Sequence, residues 1–195
     1  MDKIAIRELN NEKQLSPSEA IRFCVKFSNL AAENGMREQV VNFETQKLKH
    51  YRELFEGAVF AYGLSHIQNG SVLRIILKED SDYDLCLVRV EEKQGYTRPI
   101  QMKRLVSKDK DPKANLDSLV ASLRKYGKAR GLTVVIYAED LLSLDLSSVV
   151  LPENVEVEEI YIFGSNKKTK EFCIFGELRS RDIYNYKYKL VLNHN

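Results

Sequence analysis

Apolar residues recur at helical spacing over two segments in the N-terminal part of the chain. The first follows SPSE (16–19), in which a capping serine, a proline at the first helical position and a glutamate three residues after the serine predict a helix start. Gly35 ends this run. The second helix is predicted to begin near Arg37, and steps of three and four give it a stripe of Val41, Glu44, Leu48, Tyr51 and Phe55. This stripe contains one carboxylate, Glu44.

The C-terminal end of the second helix has two interpretations. Gly57 could end it, which would leave AVFAYGLSHI (58–67) as a strand. Alternatively the stripe continues through this segment, and Asn69-Gly70 ends the helix. Each interior glycine costs roughly 1 kcal/mol relative to alanine in a helix, which disfavours the second interpretation without excluding it.

The middle of the chain changes to the pattern of a sheet. Segments rich in β-branched residues alternate with turn residues and predict an antiparallel meander of 71–78, 84–90 and 98–106. A helical stripe follows within 115–130 and then LTVVIYA (132–138), which is apolar on both faces, as a strand covered on both sides must be. The step from 98–106 through the helix to 132–138 predicts a βαβ crossover with parallel strands.

The last third has the pattern of a β hairpin. VEEIYIFGS and KEFCIFGEL are predicted to pair, and NYKYKLVL is predicted to be a further strand or a tail. The fold class is therefore mixed α/β, with a mixed sheet flanked by helices and a C-terminal β appendage.

Composition narrows the functional classes only a little. Of the 195 residues, 44% are hydrophobic and 30% are charged, which is typical of globular proteins, and the net charge of +2 gives no overall attraction to nucleic acid or membrane. The three cysteines are scattered in apolar runs, which indicates a reducing compartment, and we expect a cytoplasmic protein without a structural zinc site. The first residues are too charged for a signal peptide, so we expect none here, and no apolar run is long enough to span a membrane.

Polar residues interrupt the predicted meander at three positions. Asp84 opens one strand, and Gln101 and Lys103 share one face of the next because residues two apart on a strand point the same way. Asp84 could simply end a turn, and Gln101 and Lys103 could form a solvated face. Glu44 could equally lie at the edge of its helix. If the strands pair, however, the three polar groups can converge at one end of the sheet, with Glu44 approaching the same region.

These residue types suit phosphodiester hydrolysis that depends on a metal ion. Carboxylate and amide oxygens are ligands for Mg²⁺, which keeps several waters and polarises a phosphate. A lysine can orient or deprotonate the attacking water or neutralise transition-state charge. Five cations, Lys103, Arg104, Lys108, Lys110 and Lys113, could face phosphates, but Asp109 and Asp111 interleave them, and a solvated loop is the simpler interpretation.

The order of these elements resembles the restriction-endonuclease-like core, and SDYDLCLV followed by IQMKRLV resembles the PD-(D/E)xK signature of that nuclease superfamily. The resemblance covers roughly residues 37–138. It implies a Mg²⁺- or Mn²⁺-dependent deoxyribonuclease in which Asp84, Gln101 and Glu44 hold the metal and Lys103 acts on the water or the transition state. DNA is the implied partner, and a homodimer is a candidate assembly.

The sequence departs from the signature at two places. No proline precedes Asp84, and Gln101 stands where most members carry a carboxylate, as in some archaeal-resolvase-like and methylation-dependent restriction branches. Loss of this charge leaves a second hypothesis open, a non-catalytic nucleic-acid-binding or assembly protein of the same fold. The implied organisation is an N-terminal helical extension (1–36), the nuclease-like core (37–138) and the C-terminal β-rich appendage (139–195).

Overall fold

The structure is a computed structural model of the chain. It describes residues 14–68, 72–77, 83–91, 94–126, 129, 131–139, 144, 146, 149–166, 169, 171–180 and 182–191. The chain divides into two compact units, residues 1–99 with 192–195 and residues 100–191.

The first unit combines helices with an antiparallel set of strands. Its elements are β1 (Gln14–Leu15), α1 (Pro17–Glu33), α2 (Glu38–Val41), a 3₁₀ turn (Gln46–Leu48), α3 (Lys49–Ile67), β2 (Leu73–Leu77), β3 (Leu85–Glu91) and the start of β4 (Gln94–Leu105). Strand β2 pairs antiparallel with both β1 and β3. Helices α1 and α3 contact each other, and both contact β2.

The predicted capping box of α1 is confirmed. The Ser16 hydroxyl accepts from the Glu19 N–H at 3.2 Å, and the Glu19 carboxylate accepts from the Ser16 N–H at 2.7 Å. The helix ends at Glu33, and Gly35, two residues later, has the positive φ of 66° that lets the chain leave the helical conformation. Sequence pattern alone therefore located both ends of α1.

The predicted second helix is wrong in its N-terminal half. Phe43 has a φ of 55°, and the Glu44 N–H bonds to the Gln39 carbonyl at 2.7 Å, which closes α2 in the manner of a Schellman motif. A left-handed phenylalanine is uncommon, but Phe43 is buried against the rings of Phe27 and Tyr51, with centroids 5.5 and 6.2 Å away. Aromatic packing thus outweighs the local preference for a continuous helix, and Glu44 lies outside any helix.

The C-terminal half of the same helix continues through Gly57, so the interpretation of 58–67 as a strand is wrong. A Cβ at Gly57 would lie 2.4 Å from Cδ2 of Leu85, a side chain with no exposed surface. Glycine at this position therefore allows α3 to approach β3 closely. This contact explains why the helix contains a glycine even though glycine lowers helix stability. Asn69 and Gly70, the predicted helix end, lie outside the described residues.

The second unit carries the parallel part of the sheet. Its elements are the C-terminal half of β4, α4 (Leu116–Ala121) with a 3₁₀ turn (Ser122–Tyr126), β5 (Thr133–Ala138), β6 (Glu159–Asn166), β7 (Glu171–Glu177) and β8 (Asp182–Tyr188). Strand β5 is parallel to β4 and to β6, which confirms the predicted crossover, and β6, β7 and β8 pair antiparallel. The predicted C-terminal hairpin is also confirmed, and the further strand exists as β8.

The described residues thus form a mixed α/β protein whose strands follow sequence order from β1 to β8, and the predicted fold class is confirmed at this level. Eight strands are more than the three-strand meander and crossover strand that the sequence predicted for the core. Among the described residues, no helix has the length and apolar character needed to span a membrane.

Candidate functional site

The candidate residues fall into two groups, one in each unit. In the first unit, Asp84 immediately precedes β3 and is half-buried. Its position at the mouth of a strand agrees with the sequence prediction. The residue that follows, Leu85, is fully buried and contacts Gly57, so the backbone beside Asp84 is held by a core contact.

A carboxylate that sequence reasoning missed, Glu53, lies within the electrostatic reach of Asp84. Burial raises the pKa of Glu53, and the negative charge of Asp84 adds to this shift, while Lys49 opposes it. The Lys49 ammonium lies 3.0 Å from the Glu53 carboxylate, but that lysine is 46% exposed, whereas Glu53 is 13% exposed. This part of the first unit therefore holds two carboxylates within electrostatic reach of each other, with Lys49 and Arg52 as the cations that act on Glu53.

A second missed carboxylate, Glu56, follows Glu53 by three residues on α3 and is only 5% exposed. Residues three apart on a helix lie on the same side, so α3 carries both carboxylates on neighbouring turns. One signal in the sequence could have identified them. Both glutamates adjoin the apolar run that contains Gly57, and a carboxylate on a buried helix needs a partner or a metal ion.

Glu44, the carboxylate that the sequence predicted for the helix, lies between α2 and the 3₁₀ turn and is exposed. The prediction that it projects from a buried helical stripe is wrong because Phe43 reverses the chain direction one residue earlier. Its proposed role as a metal ligand stays a prediction.

The second group lies on β4. Gln101 and Lys103 pair with Val134 and Ile136 of the parallel strand β5, and their spacing places them on the same face, as the sequence predicted. Gln101 is 8% exposed, and Lys103 is half-buried. Burial of Gln101 is at odds with the alternative of a solvated face, whereas the half-buried Lys103 does not decide between the two interpretations. The ammonium of Lys103 lies 5.3 Å from the centroid of the Tyr126 ring.

The adjacent basic residues have a structural partner. Oε1 of the buried Glu139 accepts hydrogen bonds from Nη2 of Arg104 at 2.6 Å and from Nζ of Lys110 at 3.2 Å, and Oε2 accepts from the Ser107 N–H at 3.2 Å. Burial opposes ionisation of Glu139, but these bonds outweigh it and hold its pKa below the ordinary value. Two of the five cations that could face phosphates are therefore bonded to a carboxylate of their own chain.

The donor set suits a hard cation better than a soft one. Within the part of the chain that the structure describes, no group of three or more His, Cys, Asp and Glu side chains is arranged to hold a metal. Mg²⁺ needs no such group, because it binds through one or two carboxylates and keeps several waters. Asp84 with Glu53, two carboxylates of the first unit whose charges repel, fits that requirement.

Comparisons with protein-family models, with curated proteins and with solved structures give no match to this chain. The function of this protein is therefore inferred from its own residues.

Proposed function

We propose that this protein is a metal-dependent deoxyribonuclease of the restriction-endonuclease-like fold, with Gln101 in place of the usual second signature carboxylate. The observation that supports the proposal is the placement of Glu53, 13% exposed on α3, within electrostatic reach of Asp84 at the start of β3. A carboxylate that is largely removed from water and lies beside a second carboxylate is typical of sites that bind metal ions or carry catalytic groups.

The helix carboxylate of this proposal is Glu53, with Glu56 as its neighbour one turn later. Both belong to the helix that contacts β3, and Gly57 permits the contact that brings this helix against the strand behind Asp84. Asp84 and Glu53 would hold the cation. Glu44, on an exposed segment outside any helix, has the weaker claim to that role.

Gln101 and Lys103 have different tasks in the proposed reaction. The amide oxygen of Gln101 offers a neutral ligand, which lowers the total negative charge around the metal relative to a carboxylate. The ammonium of Lys103 is not a ligand; it orients the attacking water or compensates the negative charge that develops on the phosphate. A bound Mg²⁺ or Mn²⁺ would supply Lewis acidity and a more acidic water.

A second function remains open because Gln101 carries no charge. A protein of the same fold that has lost metal chemistry could bind nucleic acid or assemble with a partner without cleaving anything. This alternative predicts that Asp84 binds no metal ion. A titration of the protein with Mg²⁺ and Mn²⁺ therefore separates the two hypotheses.

The test is calorimetric titration of Mg²⁺ and Mn²⁺ together with a plasmid-nicking assay. We expect Asp84→Ala to abolish metal binding and cleavage together, because it removes a ligand. We expect Lys103→Ala to retain metal binding and lose cleavage, because the lysine acts on the water or the transition state. Gln101→Glu should raise metal affinity, since it adds a negative charge to the ligand set.

Matched controls come from the two helix candidates. Glu53→Gln should weaken metal binding, and Glu44→Gln should leave it unchanged. If the wild type neither binds metal nor nicks DNA and Gln101→Glu gains no metal affinity, the nuclease proposal fails and the binding hypothesis replaces it. If Glu44→Gln weakens binding and Glu53→Gln does not, the carboxylate assignment made from the sequence is the correct one.

A further inference from the structure

The lysine of the candidate signature lies over an aromatic ring within its own unit. The Lys103 ammonium is 5.3 Å from the centroid of Tyr126, inside the roughly 6 Å at which a cation is attracted to the face of an aromatic ring. The ammonium of Lys125 lies 5.0 Å from the centroid of the same ring. Two cations therefore share one tyrosine.

The ring has a fixed support. Tyr126 ends the 3₁₀ turn that follows α4, and the segment is anchored by the burial of Leu116, Val120 and Leu123. The backbone of Lys103 is equally fixed, because residues 100–105 of β4 pair with β5. The flexible element between these two supports is the four-carbon stem of the lysine, which loses rotamer entropy when it is immobilised.

We infer that Tyr126 is a positioning residue that holds the Lys103 ammonium in place through its ring face. The face of the ring attracts the ammonium electrostatically, so the contact fixes where this positive charge lies. Of the two roles that the signature allows for the lysine, this contact favours compensation of negative charge on the phosphate. The assignment of this role to Lys103 rests on the proposed nuclease activity, whereas the contact between Lys103 and Tyr126 does not.

The contact can be measured without any activity. Acetic anhydride acetylates accessible neutral amines. Mass spectrometry of peptides then gives the acetylation rate of each lysine relative to that of the exposed Lys113 in the same molecule. We expect Tyr126→Leu to increase the relative acetylation rate of Lys103 by about two- to fivefold, the range set by loss of a partly exposed cation–π contact. Tyr126→Phe keeps the ring and should leave the rate near that of the wild type.

Lys125→Met is the matched control, because it removes the other cation while the ring stays. In the Lys125→Met variant, the acetylation rate of Lys103 should not rise above that of the wild type. The inference is overturned if Tyr126→Leu leaves the rate unchanged, or if Lys125→Met raises it as much as Tyr126→Leu does. If far-UV circular dichroism shows that Tyr126→Leu has lost its fold, Tyr126→Gln takes its place in the same measurement, with the same outcomes.

Cleavage kinetics provide the second arm. If the wild type cleaves DNA, Tyr126→Leu should lower kcat with little change in KM, and Tyr126→Phe should restore kcat. A raised KM with unchanged kcat would mean that Tyr126 contacts the substrate, and the positioning role would be rejected. If the wild type does not cleave DNA, the proposed function fails, but the acetylation result still decides whether Tyr126 holds Lys103.

Discussion

Glu53 in the first unit and Glu139 in the second are both largely removed from water, yet their surroundings shift their pKa values in opposite directions. Burial raises the pKa of Glu53, and the charge of Asp84 adds to the effect. Burial also opposes ionisation of Glu139, but the Ser107 N–H, Arg104 and Lys110 outweigh it and lower the pKa. Hydrogen bonds from two cations and a backbone N–H outweigh burial at Glu139, whereas Lys49 and Arg52 do not outweigh burial and the second carboxylate at Glu53.

The difference separates a structural charge from a candidate functional one. A buried carboxylate with hydrogen-bonded cations stabilises the end of β4 and the loop after it. A buried carboxylate next to another carboxylate costs stability unless a proton or a cation joins the pair. Substitutions at Glu139, Gly57 and Glu53 test this difference.

The largest expected effect is on the structural side. Glu139→Gln keeps the shape but removes the charge that Arg104 and Lys110 face, and breaking a buried pair costs about 3–5 kcal/mol. Arg104 retains 22% exposure and can recover some water, so we expect a loss near 3 kcal/mol in the free energy of unfolding, measured by urea denaturation. The exposed Glu153→Gln should change it by less than about 0.5 kcal/mol. A loss below about 1 kcal/mol for Glu139→Gln would contradict the structural role.

An intermediate effect is expected where α3 meets β3. Gly57→Ala gains roughly 1 kcal/mol of helix propensity but places a methyl group against the buried Leu85, and overpacking costs about 1–3 kcal/mol. We expect a net loss of stability by urea denaturation and weaker Mn²⁺ binding, because the contact supports the backbone beside Asp84. Leu85→Val in the same chain should recover part of the lost stability. If Gly57→Ala is more stable than the wild type, there is room for a methyl group between α3 and β3, and the close contact of Gly57 with Leu85 is contradicted.

The smallest expected effect on stability is at Glu53. Glu53→Gln loses an exposed pair with Lys49 worth about 0.3–0.5 kcal/mol but removes repulsion from Asp84, so the free energy of unfolding at pH 7 should change by less than about 1 kcal/mol. A loss as large as that of Glu139→Gln would remove the distinction between the two sites.

The two sites should also differ in the sign of their pH dependence. The pKa of Glu53 is raised, so its contribution to stability is complete below the ordinary value of about 4.3 and is lost as the pH rises through the folded-state pKa. The pKa of Glu139 is lowered, so its contribution is complete above about 4.3 and is lost as the pH falls. Denaturation of the wild type and both variants from pH 7 to pH 3 should therefore give stability differences of opposite slope. Parallel slopes would contradict the comparison.

The sequence by itself determined the elements whose signals are local. The capping box at Ser16 and Gly35 located α1, and the doubly apolar segment 132–138 with the helix before it determined that β4 and β5 are parallel. Asp84 at a strand start and Gln101 with Lys103 on one strand face also follow from spacing alone. These features depend on a few neighbouring residues and on the period of a helix or a strand.

Tertiary structure decided the break at Phe43, the course of α3 through Gly57 and which carboxylates belong to that helix. Phe43 takes a left-handed conformation while Phe27 and Tyr51 pack against its ring. Position 57 of α3 is a glycine because Leu85, 28 positions later in the sequence, leaves no room for a Cβ. The phase of α3 follows from these contacts, and with it Glu53 replaces Glu44 as the carboxylate on that helix. The helical period alone could not place the break at Phe43 or the phase of α3, because both depend on packing between different elements. The position of Glu53 and Glu56 beside an apolar run was the one signal of these carboxylates that the sequence carried.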